Sequence, residues 1–387
     1  MHPIIDGSGA GFPHPKPTLS FWLQGARNNP LIGHRTTETT PSNADVVIIG
    51  AGMSGVATAY HLFKEHDPLR GALPKVVILE AREACYGATG RNGGHCRPDF
   101  YRGACCEFIR PRFLGRSSSK GYPKYKKTFG KDQAMKILQN EKVRDLLSFL
   151  GSDSERNFLW LKETLALLAQ VVEEEKIDCD LWRGHSFGPW DIGYSIQFTP
   201  LEPLLPPDVA LNQPCADSFR AALQEFAADG GEVDGIIEWI SDPQEAKRRT
   251  RCVYAHAAVT HPAGSFWPYK FVTSLLRLCI EKFSLNLQTN TPVLSVFPSG
   301  DGNWTIEMGR GSIKAAKVVF ATNAYTSTLL PEFTNKIVPI RGQCSAVVPT
   351  RPYSGKRLLT HTYSLRWRMV GGYSATSTWV DLPTAGF

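Results

Sequence analysis

Hydrophobic positions first form an unbroken run, Val46–Ile49, inside the predicted strand Asp45–Gly50. Such a run, without alternating polar residues, is typical of a parallel strand covered on both faces. A second run, Val76–Leu79, predicts another buried strand, and Met53–Glu65 between them predicts a helix. The order strand, helix, strand indicates a βαβ unit and a parallel sheet.

Farther along, the pattern changes to amphipathic helices and shorter strands. Leu161, Leu165 and Leu168 recur at three- and four-residue steps, which predicts that Asp153–Glu175 is a helix with one face on a core. The other predicted helices are Lys131–Leu150, Phe219–Asp229 and Tyr269–Phe283. The other predicted strands are Asp180–Thr199, Val233–Ile240, Leu285–Gln288, Val293–Val296, Trp304–Met308, Val318–Ala321, Ile337–Gln343 and His361–Val370.

The first 43 residues contain six prolines, and their hydrophobic positions follow neither a helical nor a strand period. This predicts an irregular arm. Its one apolar patch, Leu19–Leu23, is expected to dock the arm onto the rest of the protein. The arm has no charged segment followed by an apolar one, so it does not read as a secretory signal.

Composition and charge narrow the functional classes. The 387 residues are 42% hydrophobic and 20% charged, as in a globular protein large enough for two cores. No long apolar run free of glycine and charge predicts a membrane span. The net charge of +7 equals that of residues 102–127, with eight basic residues and one acid. This indicates a solvated basic loop rather than a nucleic-acid surface.

The nine cysteines are scattered, odd in number and without a CxxC pair. A disulfide scaffold is therefore not expected, and a reducing cytoplasm is the predicted location. The sequon at Asn303 would then go unused. His256 and His261 are five residues apart with no acidic or cysteine cluster beside them, so no metal site is predicted.

The strongest motif is GAGMSG, residues 50–55, which follows the first strand and opens the helix. In such a turn Gly50 allows the tight bend, Gly52 lets a pyrophosphate approach the backbone, and Gly55 lets the helix pack on the strand. Glu80 ends the second strand 25 residues after Gly55, where a carboxylate accepts hydrogen bonds from ribose hydroxyls. The constellation predicts a dinucleotide site that disfavours NADP.

The next segment distinguishes between cofactors. Residues 87–94 contain four glycines and begin seven residues after Glu80. Glycine lets the backbone lie close to a large ring, which favours a flavin over nicotinamide. A flexible loop without a ligand is the alternative interpretation, and an NAD-dependent dehydrogenase is the competing enzyme class.

These motifs resemble the FAD-dependent oxidoreductases of the D-amino-acid oxidase and glycine oxidase superfamily, and within it the fungal and bacterial proteins related to gamma-glutamylputrescine oxidase. The stretches that carry the resemblance are ADVVIIGAGMSG (44–55), ILEAREACYGATGRNGGHCRPD (78–99), HPAGSFWPYKFV (261–272), VVFATNAYTSTLLPEF (318–333) and IVPIRGQ (337–343). The resemblance implies an α/β fold, with a glutathione-reductase-like FAD-binding Rossmann domain interleaved with a mixed-sheet α+β substrate domain.

The resemblance also implies site residues, which fall into four groups. The residues expected at the pyrophosphate are Gly50, Gly52, Met53, Ser54 and Gly55, and those expected at the ribose are Glu80 and Ala81. The residues expected along the pyrophosphate and the flavin are Thr89, Arg91, Asn92, Gly93, Gly94 and His95. Val293 is expected at the adenine, and Ala321 and Thr322 are expected where a second strand ends near the FAD phosphates. The implied domain limits are an arm at 1–43, FAD-binding parts at 44–102 and 261–331, an insertion at 103–127, a helical segment at 128–179, and substrate-domain parts at 180–260 and 332–387.

The implied reaction oxidises a C–N bond of a small amine or amino acid by hydride transfer to flavin N5. His95 is a candidate for orienting flavin or substrate, and Arg341 for pairing with a substrate carboxylate; a structural role is the alternative for each. Residues 104–120 have no counterpart in the family and are expected to form a mobile surface loop. The family pattern stops after Trp367, which leaves a second hypothesis: a truncated, catalytically silent relative with weak or no FAD binding.

Overall fold

The computed structural model describes residues 11–96, 161–183, 194–200, 238–250, 255–334, 350–354, 362–366 and 376–379, with short stretches and single positions at 126–131, 221–230 and 336–348. The unmatched segment 104–120, the predicted helix Lys131–Leu150 beyond its first residue, and Arg341 lie outside the described residues.

Fourteen strands and five α-helices are found in the described part. The strands are β1 Asn43–Ile49, β2 Val76–Leu79, β3 His95–Cys96, β4 Trp182–Arg183, β5 Tyr194–Pro200, β6 Glu238–Ile240, β7 Ala255–Pro262, β8 Gly264–Ser265, β9 Asn286–Gln288, β10 Val293–Pro298, β11 Trp304–Met308, β12 Gly311–Phe320, β13 Thr362–Arg366 and β14 Thr376–Trp379. The helices are α1 Met53–Lys64, α2 Leu161–Glu174, α3 Pro243–Thr250, α4 Pro268–Phe283 and α5 Thr326–Leu329.

The chain folds into two interleaved units. The first comprises Met1–Asn92, Val172–Cys179 and Trp267–Val348, and the second comprises Gly93–Val171, Asp180–Phe266 and Pro349–Phe387. The interleaved α/β architecture expected from the sequence is therefore confirmed, while the individual domain limits stay a prediction.

The first unit is built on a six-stranded sheet in the order β10-β11-β12-β1-β2-β9. Strands β12, β1, β2 and β9 run parallel, whereas β10, β11 and β12 pair antiparallel. Every residue of β2 is buried, as are Val46–Ile49 of β1, because helices and strands cover both faces. This is the reason for the unbroken apolar runs in the sequence.

The two faces of this sheet bury different sets of side chains. Val47, Ile49, Val77 and Leu79 belong to a core cluster whose remaining members are Ala44, Val293, Ile306, Met308, Ile313, Ala315 and Val318. On α1, Val56, Ala59 and Phe63 are buried, and α1 lies against α4. The ring of Phe63 stacks on that of Phe283 of α4 at 5.1 Å.

The N-terminal arm forms two single-turn 3-10 helices, Phe21–Leu23 and Ala26–Asn28, and then runs beside the outer edge of β9. Arg35 forms an isolated bridge with Gln288, so the arm covers hydrogen-bonding groups on this edge. Within the apolar patch of the arm, Trp22 and Leu23 are buried and Leu19 is exposed.

The second unit contains a five-stranded sheet, β14-β13-β5-β7-β6, and a three-stranded one, β3-β8-β4. Strands β13 and β5 are parallel and the other pairs of the larger sheet are antiparallel, as expected of a mixed sheet. Helix α3 lies against β7, and its Arg249 binds both carboxylate oxygens of Glu238 on β6, at 2.5 and 2.9 Å.

Several elements differ from the expectations. Helix α3 and strands β7 and β14 were not predicted as separate elements, because short segments with mixed polarity carry little periodic signal. Strand β12 begins at Gly311, seven residues before the predicted strand, since its first half pairs with β11. The described residues Ile337 and Pro339 of the predicted strand Ile337–Gln343 are not in a strand.

One buried carboxylate ties three segments of the first unit together. The side chain of Glu175 is 6% exposed and accepts hydrogen bonds from Tyr60 Oη at 2.9 Å, Lys64 Nζ at 2.9 Å and Lys282 Nζ at 3.0 Å. The hydrogen bond from Lys64, then those from Lys282 and Tyr60, lower the pKa of Glu175 to about 2. The ionised carboxylate therefore contributes to stability wherever the pH exceeds the ordinary pKa of a glutamate.

We expect Glu175→Gln to lower the free energy of unfolding by about 2 kcal/mol at pH 7, because charge-assisted hydrogen bonds are lost. Since the folded-state pKa is depressed, the difference from the wild type should shrink as the pH falls from 4.5 towards 2. Urea unfolding at pH 7 and pH 3 measures this difference. Glu174→Gln is the control, because the ion pair of Glu174 with Lys64 is exposed and spans 3.6 Å. Equal losses for the two variants, or a loss independent of pH, would contradict the assignment.

Candidate functional site

The glycine-rich turn joins β1 to α1 and is held by its two neighbouring strands. Gly50 has φ +113°, and its amide donates to the carbonyl of Leu79 at 2.8 Å. On the other side, the amide of Ala321, just after β12, donates to the carbonyl of Ile49 at 2.9 Å. A Cβ on Gly50 would lie 2.6 Å from the carbonyl oxygen of Ala321. The turn thus lies between the carboxyl ends of β2 and β12 and is hydrogen-bonded on both sides.

Helix α1 crosses this turn at very short range. A Cβ on Gly55 would lie 2.0 Å from the carbonyl oxygen of Gly50 and 3.2 Å from Cγ2 of Ile48. Real Cβ atoms are not found at 2.0 Å from a backbone oxygen, so this crossing needs a residue without a side chain. The separation brings the first turn of α1 directly over the end of β1.

The first turn of α1 presents backbone donors beside the turn. Gly52 caps the helix in an extended conformation, and the amide of Met53 donates to Thr89 Oγ1 at 2.9 Å. Among the residues that the structure describes, none accepts from the amides of Ser54 or Gly55. Unsatisfied amides at a helix N-terminus, together with the helix dipole, attract an anion.

The side chain of Glu80, at the end of β2, is hydrogen-bonded to the same turn. Its Oε2 accepts from the amide of Ala51 and its Oε1 from the amide of Arg82, each at 2.9 Å. Burial raises the pKa of Glu80, and the two amide hydrogen bonds oppose that shift. A carboxylate offers about four lone pairs, so this one can still accept from a ligand. The bond to Ala51 was not foreseen, because the sequence does not show how the side chain turns back onto the glycine loop.

Val293, Thr322 and Ala81 are further predicted site residues of the first unit. The segment that precedes Val293 lies against Glu80, whose carbonyl accepts from the amide of Thr291 at 2.8 Å. Val293 is 3% exposed, so its side chain belongs to the core and only its backbone can face a ligand. Thr322 follows Ala321, and its hydroxyl lies 2.9 Å from that of Thr326. Ala81 is partly buried between Glu80 and Arg82.

The loop after β2 contains a single-turn 3-10 helix, Ala88–Arg91, which the N-terminal arm contacts repeatedly. Arg91 donates from Nε to the carbonyl of Tyr86 at 3.1 Å and from Nη1 to Thr18 Oγ1 at 3.1 Å. The indole N–H of Trp22 donates to the carbonyl of Asn92. The arm was predicted to dock through its apolar patch, but these polar contacts with the loop were not foreseen.

Three predicted residues, Gly93, Gly94 and His95, belong to the second unit. His95 is in β3, directly across from Ser265 of β8, and the amide of Phe266 donates to the carbonyl of Gly94 at 2.9 Å. A Cβ on Gly93 would lie 2.9 Å from Cδ2 of His95, so the glycine leaves room for this ring.

The described residues contain no group of three or more His, Cys, Asp or Glu side chains arranged to hold a metal ion. No helix in the same part of the chain has the length and apolar character needed to cross a membrane.

Comparison with known proteins identifies the family. Residues 45–377 match the sequence profile of the DAO family, described as "FAD dependent oxidoreductase". The chain belongs to this family. The expected cofactor class, FAD, is thereby confirmed, as is the broad assignment to the flavin-dependent oxidoreductases. The closer kinship with gamma-glutamylputrescine oxidases is not part of this match.

The following proteins are similar to this chain at low sequence identity. The protein named "Probable oxidoreductase OrdL" of Haemophilus influenzae is 22% identical over 321 residues, which are 82% of this chain and 57% of that protein. L-amino acid deaminase from Proteus myxofaciens has 17% identity and a TM-score of 0.49, over 78% of this chain and 50% of its own. Glycine oxidase from Geobacillus kaustophilus has 16% identity and a TM-score of 0.48, over 88% and 73%. The chain therefore spans little more than half the length of the curated relative.

Proposed function

We propose that the turn Gly50–Gly55 binds the pyrophosphate of FAD in this protein. The observation that carries the proposal is the pair of amides at Ser54 and Gly55, which have no acceptor among the described residues and begin a twelve-residue helix. The open space beside Gly52 supports it, since among the described residues only Thr89 Oγ1 would lie within 4 Å of a Cβ there. A diphosphate satisfies such amides better than a neutral ligand does.

For the adenosine half, we propose that Glu80 accepts hydrogen bonds from the ribose hydroxyls. Its position at the carboxyl end of β2, next to the turn, supports this role. The adjacent backbone at Val293 is proposed to meet the adenine, because the side chain is buried away from any ligand. Ala81 and Thr322 are proposed to complete this part of the site together with Ala321.

For the flavin end, we propose that the loop Ala88–Asn92 contacts the pyrophosphate and the ring. Thr89 already binds the first amide of α1, so the loop and the helix start are linked directly. Gly93, Gly94 and His95 are proposed to follow along the flavin, with His95 orienting the flavin or the substrate.

The proposed reaction oxidises the C–N bond of a small amine or amino acid, and gamma-glutamylated amines are the first substrates to test. When FAD is bound, it supplies the acceptor for the hydride. The protein's contribution is to orient the substrate carbon, exclude water and position charges near the ring. Arg341 is proposed to pair with a substrate carboxylate. The cytoplasmic location suggested by the cysteines stays part of this proposal.

The test is a titration of the purified protein with FAD, followed by anaerobic addition of amines. We expect FAD to bind with one site per chain and its visible absorption to bleach with a gamma-glutamylated amine or an amino acid, but not with the matching alcohol. NAD, which lacks the flavin, should not compete at equal concentration.

The outcomes separate the hypotheses. A protein that binds FAD without bleaching on any amine would contradict the substrate class and leave the cofactor site intact. A protein that takes up neither FAD nor NAD would contradict the cofactor site and favour the silent relative considered above.

A further inference from the structure

The N-terminal arm is joined to the loop Ala88–Asn92 at three consecutive positions. Ser20 Oγ donates to the carbonyl of Gly90, and the indole N–H of Trp22 donates to the carbonyl of Asn92. Between these two contacts, Arg91 of the loop donates to both the hydroxyl and the carbonyl oxygen of Thr18. The arm thus binds the backbone of this loop from outside the βαβ unit.

The arm is itself anchored at Trp22. The indole N–H of Trp267, at the start of α4, donates to the carbonyl of Trp22 at 3.0 Å. The rings of Trp22 and Trp267 meet edge to face at 5.4 Å, and Phe21 stacks on Trp267 at 5.6 Å. Lys270 Nζ lies 4.8 Å from the centre of the Trp267 ring. Since Trp22 is held at both its backbone and its ring, its N–H has a defined direction.

The loop that the arm holds also contacts the start of α1. Thr89 directly precedes Gly90, the first residue whose carbonyl the arm binds, and its hydroxyl accepts from the amide of Met53. A Cβ on Gly90 would lie 2.3 Å from the carbonyl oxygen of Cys85 and 3.2 Å from Leu23 of the arm, so this part of the loop has little freedom to move. The contacts therefore form a path from Trp22 through the loop to the first helical amide.

We propose that Ser20 and Trp22 are positioning residues for the cofactor. By binding the carbonyls of Gly90 and Asn92, they hold the loop in the conformation that receives FAD, and the ligand does not have to order it. Loop ordering before binding strengthens affinity, because less conformational entropy is lost when the ligand arrives. The inference rests on the proposed function above and extends the FAD site to a segment that precedes the Rossmann unit.

The test compares three variants with the wild type. Trp22→Phe keeps an aromatic ring and removes the N–H, and Ser20→Ala removes the hydroxyl. We expect each to raise the dissociation constant for FAD about fivefold, the effect of one hydrogen bond. Ser20→Thr restores a hydroxyl and should return the constant to near the wild-type value. Flavin fluorescence quenching gives the constants, and thermal unfolding of the FAD-free protein gives the stability.

The matched control is Thr40→Val, because Thr40 joins the same arm to the carbonyl of Arg310 at 3.4 Å, outside the loop. It should leave the FAD constant unchanged. Wild-type FAD affinity in both Trp22→Phe and Ser20→Ala, whatever their thermal stability, would overturn the inference and leave the proposed function standing. If Trp22→Phe does not fold, Ser20→Ala and Ser20→Thr decide the question. A wild-type protein that binds no FAD would overturn both proposals.

Discussion

Gly55→Ala is expected to destabilise the first unit by more than about 3 kcal/mol, a large part of the stability of a typical domain. The added Cβ would lie 2.0 Å from the carbonyl oxygen of Gly50. Neither partner can move away easily, since Gly50 is hydrogen-bonded to β2 and Gly55 belongs to the buried face of α1. The helix would have to shift by more than an ordinary packing adjustment.

Urea unfolding of the FAD-free protein measures this effect without relying on cofactor binding. Gly309→Ala is the matched control, because no atom of the residues that the structure describes would lie within 4 Å of a Cβ at Gly309, and the residue does not have a positive φ. The control should change the free energy of unfolding by less than about 0.5 kcal/mol. If Gly55→Ala unfolds at the same urea concentration as the control, α1 does not cross the strand as closely as the structure has it.

Gly52→Val is expected to have the opposite signature, with FAD affinity lost and the fold retained. Its backbone, at φ −90° and ψ −172°, is extended and accepts a branched residue. The added methyl groups would occupy the space in front of the amides of Ser54 and Gly55, where we propose the pyrophosphate binds. We expect the dissociation constant for FAD to rise more than about 100-fold, which corresponds to about 2.7 kcal/mol.

The measurement is an FAD titration beside a urea unfolding curve for the same preparation. Gly52→Ala is the graded control: its single Cβ would lie 3.1 Å from Thr89 Oγ1, a contact that a small shift relieves, so its affinity should fall between those of the wild type and Gly52→Val. Unchanged FAD affinity in Gly52→Val would place the pyrophosphate elsewhere, even if the protein binds FAD.

Glu80 illustrates how a residue can be found from the sequence although its surroundings cannot. Its place at the end of the second apolar run predicted a carboxylate for the ribose, and the structure has it directly after β2. The sequence did not show that both carboxylate oxygens bind backbone amides of the turn and the loop. Glu80 therefore supports the turn as well as being the proposed ribose ligand, and side-chain direction decides between such roles.

By itself, the sequence determined the βαβ unit, the glycine turn and the flavin family. These features are local: strand burial, helix onset and the need for a residue without a side chain are each specified within a few neighbouring positions. This is why the boundaries of β2 were predicted as observed and those of α1 to within one residue.

Only the tertiary structure decided which distant segments meet at that turn. Ala321 lies 271 positions after Gly50, and its amide donates to the carbonyl of Ile49 because β12 pairs in parallel with β1. The side chains of Trp22 and Ser20 likewise bind carbonyls of the loop 70 residues farther along the chain. Such contacts leave no periodic signal, because a carbonyl that accepts a hydrogen bond belongs to the backbone and is the same in every residue. The chain can specify them only through the fold that brings the segments together.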